Sequence, residues 1–239
     1  MMNFVSFNRL PFFRISIFCL LIIFGACKSK KQAAPKEDLL RNIYFDYNIS
    51  ADADYDKLTL KLKFLEDDDM GDAIQPEGLQ SVKLDNEMLQ PDSTKMNGVY
   101  YEVQKPINDF AGNHRIEVET VNGQTYTETF EFAPFTLTTA LPETIKKEDL
   151  PLDFSGLEKK DMIRLVLTDT SFSHNGINRM DSVSDNHYIL SKADLQKLSN
   201  GPVIMEIARE YKRPIKKGDE SIGVFRIDCT LRRSFNLVE

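Results

Sequence analysis

Between residues 43 and 132 apolar and polar positions alternate with a period of two, most regularly in Lys57-Leu58-Thr59-Leu60-Lys61-Leu62-Lys63-Phe64. Successive side chains on a strand point to opposite faces, so this segment puts one apolar face in a core and one polar face in water. That is the pattern of an antiparallel sheet with one face solvated. The outward lysines also protect it against edge pairing if it lies at a sheet margin. Shorter runs of the same kind predict strands at 43–49, 82–84, 99–103, 115–121 and 125–132.

The last two strands are joined through Asn122-Gly123, a strong turn pair. A two-residue loop would set Val118 opposite Thr127 and leave Tyr126 facing Glu119. A three-residue loop with Gly123 in the left-handed region sets Val118 opposite Tyr126 instead, and this loop, with a bulge, is the one expected. Gly112-Asn113-His114-Arg115-Ile116-Glu117-Val118 followed by Asn122-Gly123 resembles the late hairpin of bacterial immunoglobulin-like domains, and Val82-Lys83-Leu84-Asp85-Asn86 is similar to an earlier turn in them. The resemblance covers about the second half of this region and implies a sandwich fold. It implies no activity.

Ala133-Pro134 interrupts the alternation, and a second group of strands is expected at 135–138, 150–154, 162–168, 187–190, 203–208 and 222–231. Ile163, Leu165 and Leu167 share one face, as do Phe225, Ile227, Cys229 and Leu231. Between two of these strands, residues 191–198 predict one short helix, with Ser191 and Asp194 as a capping box and Asn200-Gly201-Pro202 as the stop. The expected architecture is therefore all-β: two tandem immunoglobulin-like β-sandwich domains, residues 40–134 and 135–239, after a signal peptide (1–26) and a short tether (27–39).

The amino terminus has a different pattern. Arg9 and Arg14 precede an apolar run over residues 15–23, which stops at Phe24-Gly25-Ala26-Cys27. A spanning helix needs about 20 apolar residues, whereas a basic flank, a short apolar segment and small residues before a cleavage point make a secretory signal. A cysteine directly after the small pair resembles the lipobox of bacterial lipoproteins, with Phe24 where Leu is commonest. The resemblance implies that Cys27 becomes the acylated, palmitate-bearing first residue. Lys28 follows where an Asp would favour inner-membrane retention, so the same resemblance implies the outer membrane of a Gram-negative envelope, facing the periplasm. The polar stretch 28–36 then lifts the body no more than about 30 Å from the bilayer.

Loss of the leader removes two arginines and takes the formal charge from -7 to -9. An acidic body has no electrostatic footprint for nucleic acid. Of three cysteines only Cys229 stays in the folded part, so an ordinary apolar core must replace disulfides.

Candidate chemistry is sparse. Glu66-Asp67-Asp68-Asp69 with Asp72 could offer oxygen ligands to calcium, but the spacing fails the EF-hand pattern and a solvated loop is the stronger interpretation. The segment 169–186, followed by His187, holds His174, Asp181 and Asp185; it matches no usual zinc spacing and reads better as a long recognition loop. Arg209, Lys212, Arg213, Lys216 and Lys217 flank Pro214 in what reads as a connection between two strands, either a solvated hairpin loop or a contact for anionic headgroups, wall polymers or an acidic partner. Cys229 is expected to be a buried, inert thiol. The chain after residue 26 contains no Gly-x-Ser-x-Gly, His-Glu-x-x-His, phosphate-binding glycine loop or Ser-x-x-Lys motif.

These observations point to a non-enzymatic, membrane-anchored lipoprotein that contacts another envelope protein, with no cofactor. A glycan-binding module is the alternative, weakened by the absence of Trp, with Tyr100 or Tyr101 able to offer a ring. A hydrolase using His174 or His187 ranks third.

Overall fold

Alternation produces strands wherever one face finds a core. In the computed structural model, which describes residues 37–170 and 176–239, the first group is β1 (Ile43–Asp52), β2 (Lys57–Glu66), β3 (Leu79–Leu84), β4 (Glu87–Met88), β5 (Pro91–Thr94), β6 (Gly98–Lys105), β7 (Gly112–Thr120) and β8 (Thr125–Phe132). After Ala133-Pro134 come β9 (Thr136–Leu137), β10 (Thr144–Lys146), β11 (Leu150–Ser155), β12 (Met162–Asp169), β13 (Ile177–Ser182), β14 (His187–Leu190), α1 (Lys192–Leu195), β15 (Gly201–Lys217) and β16 (Glu220–Val238). The chain is all-β, as the alternation predicts. Cys27 and His174 lie outside the described residues.

The largest sheet runs β13-β12-β15-β16-β1-β2-β6-β5, with β10 beside the end of β16. Two smaller sheets, β4-β3-β7-β8 and β14-β11-β9, complete the sandwich. Leu58, Leu60 and Leu62 are fully buried on the inner face of β2 while Lys61 and Lys63 stay half exposed on the outer one. Ring contacts bridge the large sheet and the four-stranded sheet, Phe45 to Tyr126 at 5.3 Å and Phe225 to Phe130 at 4.9 Å. Buried residues of all three sheets join one apolar core.

The local turn chemistry behaves as its residues require. Val118 pairs with Tyr126, Gly123 has φ +72°, and its N–H donates to the Thr120 carbonyl, which is the three-residue loop. Asp85 and Asn86, both at positive φ, make a two-residue turn between β3 and β4 of the kind that suits the twist of paired strands. Ser191 caps α1 by accepting from the Asp194 N–H at 3.2 Å. From Glu37 onward the chain is docked: the Glu37 carbonyl accepts from the Asn122 side chain at 2.7 Å, and Leu40 is buried.

Two expectations are corrected. The segment 169–186 is not one long loop, because β13 pairs along β12 from Met162↔Ser182 to Leu167↔Ile177. Its sequence, Ile-Asn-Arg-Met-Asp-Ser, has no apolar face to signal a strand, since only Ile177 is buried there. Likewise the basic group from Arg209 to Lys217 is not a connecting loop. β15 runs through it, and the connection is the two-residue turn Gly218-Asp219, with Gly218 at φ +62°.

The resulting hairpin dominates the molecule. At about 3.3 Å per residue, the 17 residues of β15 extend roughly 55 Å. Val203 to Ala208 pair with β12, while β16 pairs in parallel with β1 from Phe45↔Gly223 to Asp52↔Thr230. The approach of β1 is close: a Cβ on Gly223 would stand 2.2 Å from the Phe45 carbonyl oxygen. The hairpin thereby serves strands from both sides of Ala133-Pro134, and Lys36–Glu239 form one compact unit.

Candidate binding groove along β15

Odd-numbered residues of β15 face the core. Val203, Met205 and Ile207 are fully buried, but Arg209, Tyr211 and Arg213 follow at the next inward positions before Ile215 returns to burial. The change coincides with the end of a neighbour. β12 accompanies β15 only as far as Arg164↔Ala208, so beyond that point β15 is paired with β16 alone. Pro214 is tolerable there, because a missing N–H at an edge costs no ladder bond.

Opposite this free edge lies β8, the outer strand of the four-stranded sheet. Arg213 and Lys217 reach across to it, while Arg209 reaches Ala133, just past its end, and the segment before β12. Arg213 donates to the Thr129 carbonyl at 2.9 Å, pairs with Glu128, and stands 4.9 Å from the Phe225 ring centre. Arg209 donates to the carbonyls of Ala133 and Gly156 (3.1 Å for the latter) and approaches Asp161 at 3.4 Å. Lys217 pairs with Asp38 and lies 4.9 Å from the Tyr126 ring centre. Burial pulls the Asp38 carboxyl upward, but hydrogen bonds from Lys217 and Tyr126 outweigh it and hold Asp38 below its ordinary range. Three of the five basic residues thus close the seam between two strand edges. Lys212 and Lys216, of opposite parity, point outward and are exposed.

Between these crossings the seam stays open. A groove of about 640 Å³ is lined by Phe130 and Glu131 of β8, Met162 at the start of β12, and Tyr211 and Arg213 of β15, with Ile227 behind them. That volume is in the range of ligand-binding clefts. A smaller cavity of about 170 Å³ continues along the same seam between Thr127 and Ile215. Tyr211 has core-facing parity yet is 49% exposed, so no element of the described chain covers it.

The other sequence candidates do not converge on this groove. Asp67, Asp68, Asp69 and Asp72 lie in an exposed loop after β2, where the Asp68 carboxylate accepts from the Met70 N–H at 2.9 Å. Among the described residues no group of three His, Cys, Asp or Glu side chains is placed to hold a metal ion. His187 meets Asp153 at 2.7 Å on the surface. Cys229 is fully buried, and burial pushes its thiol above the ordinary range. Tyr100 does not offer a ring to a sugar: it is buried, its hydroxyl donates to Asp92, and Lys61 lies 4.5 Å from its ring centre.

One cluster escaped the sequence. Arg179 on β13 donates two hydrogen bonds to Asp194 (2.9 and 2.8 Å), one to Asp181 (2.6 Å) and one to the Tyr188 hydroxyl (2.8 Å). Arg179 holds the Asp194 carboxyl well below its usual range, helped by Lys197 and Ser191, while burial and Asp181 push Tyr188 up to about 12. Every polar group of this cluster has a partner, and its effect is to lock α1 and β14 onto the edge of the large sheet. The capping box revealed Asp194, but no local signal revealed Arg179.

No protein-family model matches the chain, and no curated protein matches its sequence. Solved structures similar in arrangement include DIP-gamma IG1+IG2 (9% identity, 79% of this chain and 94% of that one, TM-score 0.24) and the tandem Ig repeats of Dlar (8%, 81% and 93%, TM-score 0.23). Murine CEACAM1b is another (12%, 82% and 98%, TM-score 0.21). Superpositions this loose carry no argument about the chain, and its all-β sandwich rests on its own strands and registers.

Proposed function

We propose that this protein is a non-enzymatic lipoprotein, acylated on Cys27 and held at the periplasmic face of an outer membrane, where its sandwich body binds another envelope protein. The leader pattern supports the anchor. The binding role rests on one observation: the open groove along β15, where Tyr211 faces the core side of its strand without cover. Surfaces of that kind on rigid sheets are suited to recognition rather than to packing within the chain.

Crosslinking of the lipidated protein in its native envelope tests the binding role, and failure of any protein partner to recur would sink it. Cys27→Ser tests the anchor separately. The substituted protein is expected to leave the membrane fraction, and unchanged fractionation would refute acylation.

A further inference from the structure

Deepening the binding role just proposed, we infer that the free edge of β15 between Arg209 and Lys217 accepts an extended, acidic segment of the partner protein as an added β-strand, with Tyr211 as its apolar anchor. Three observations carry this. First, the slot continues an existing interface: β12 occupies the same side of β15 up to Ala208 and then leaves it, so a strand laid from Arg209 onward extends the ladder that β12 began. Alternate residues of an edge strand turn their N–H and C=O groups outward, and such groups give affinity when a strand is added. Secondly, the groove beside that edge is open and contains Tyr211, Met162 and Phe130, which can receive alternate apolar side chains of the incoming segment.

Thirdly, charge selects the occupant. Arg209, Arg213 and Lys217 are already paired within the chain with Asp161, Glu128 and Asp38, and Glu210 with Arg164, which leaves the exposed Lys212 and Lys216 as the cations this edge offers to a partner. A second copy of this chain would bring the same cations against themselves. The tether is no better, because Lys28, Lys30, Lys31 and Lys36 make it basic as well. An acidic segment meets complementary charge at Lys212 and Lys216, so the lysines that deter self-pairing leave this one class of partner admissible, while Pro214, with no N–H, withholds one ladder bond from any incoming strand.

The test begins with the full-length lipidated protein in its native envelope, carrying a photoreactive phenylalanine analogue at position 211, at 204 on the outer face of the same strand, or at 88 on the four-stranded sheet. The same partner is expected to be captured from 211 and from neither control. A synthetic peptide of the captured segment should be acidic and should slow hydrogen exchange in residues 209–217 of the full-length protein. N-methylation of that peptide should weaken binding about three- to tenfold at alternate positions and have little effect between them, since only every second N–H faces the edge. Tyr211→Ser, and separately the pair Lys212→Glu and Lys216→Glu, should each weaken it about tenfold or more while circular dichroism stays unchanged. Capture from 204 or 88 alone, or uniform tolerance of N-methylation, would overturn strand addition while leaving a partner-binding protein. Absence of any recurrent capture would remove both.

Discussion

The two halves of β15 share one strand, one partner in β16 and one inward parity, yet they end in opposite environments. From Val203 to Ala208 the strand is paired on both sides, and its inward residues Val203, Met205 and Ile207 are fully buried. From Arg209 to Lys217 it is paired on one side, and its inward residues Arg209, Tyr211 and Arg213 reach into a groove. Where β12 stops, the inward positions turn basic or exposed until Ile215. Burial of aliphatic side chains is favourable only with cover on every side, whereas a cation with a long stem can lie along apolar surface and keep its head in a polar seam.

This contrast can be broken by substitution. Ile207→Ala, and Leu60→Ala on the inner face of β2, should each cost about 2–5 kcal/mol in chemical denaturation, as expected for a fully enclosed aliphatic side chain. A near-zero effect would overturn the core assignment of that position. Asp194→Asn comes next, at about 1.5–3 kcal/mol, because it weakens charge-assisted hydrogen bonds to Arg179 and Lys197. The folded-state carboxyl titrates lower than its unfolded value of about 3.9, so its contribution is present above that pH and is lost as pH falls through the folded-state value. The stability gap between native protein and Asp194→Asn should accordingly hold from about pH 5 upward and shrink below about pH 4. A gap independent of pH would remove the electrostatic account of the cluster.

In the open half the expected effects are smaller. Arg213→Ala should cost about 1 kcal/mol or less, since its partners are reachable by water and such ion pairs are weak. A loss as large as that of Ile207→Ala would mean that the seam is part of the core. Tyr211→Ser should change stability by no more than about 0.5 kcal/mol. Its effect belongs in binding, and a large destabilisation would show that Tyr211 is covered after all.

The sequence exposed these regions unequally. Lys57 to Phe64 announces β2 because the strand meets a core on one face along its whole length, and alternation survives intact. The hairpin at Asn122-Gly123 was legible down to the Val118↔Tyr126 pair, because turn geometry fixes register within a few residues. β13 and the second half of β15 were not legible. Both lie at edges, where inward positions need not be aliphatic, so the period-two signal disappears. The basic group was visible as charge, but its division into three seam-crossing and two exposed side chains follows from strand parity, which a loop does not have.

By itself, then, the sequence determined the all-β class, most strands of the first half, the three-residue turn, the capped helix and the burial of Cys229. Each of these depends on contacts between near neighbours or on a regular alternation of polarity. Only the tertiary structure decided that β1 lies parallel to β16, that one long hairpin serves strands on both sides of Ala133-Pro134, and that β12 ends at Ala208 and leaves a groove beside Tyr211. Such pairings join residues up to about 180 positions apart. Whether a side chain on a strand is buried, bridged or exposed depends on what the rest of the chain places beside it.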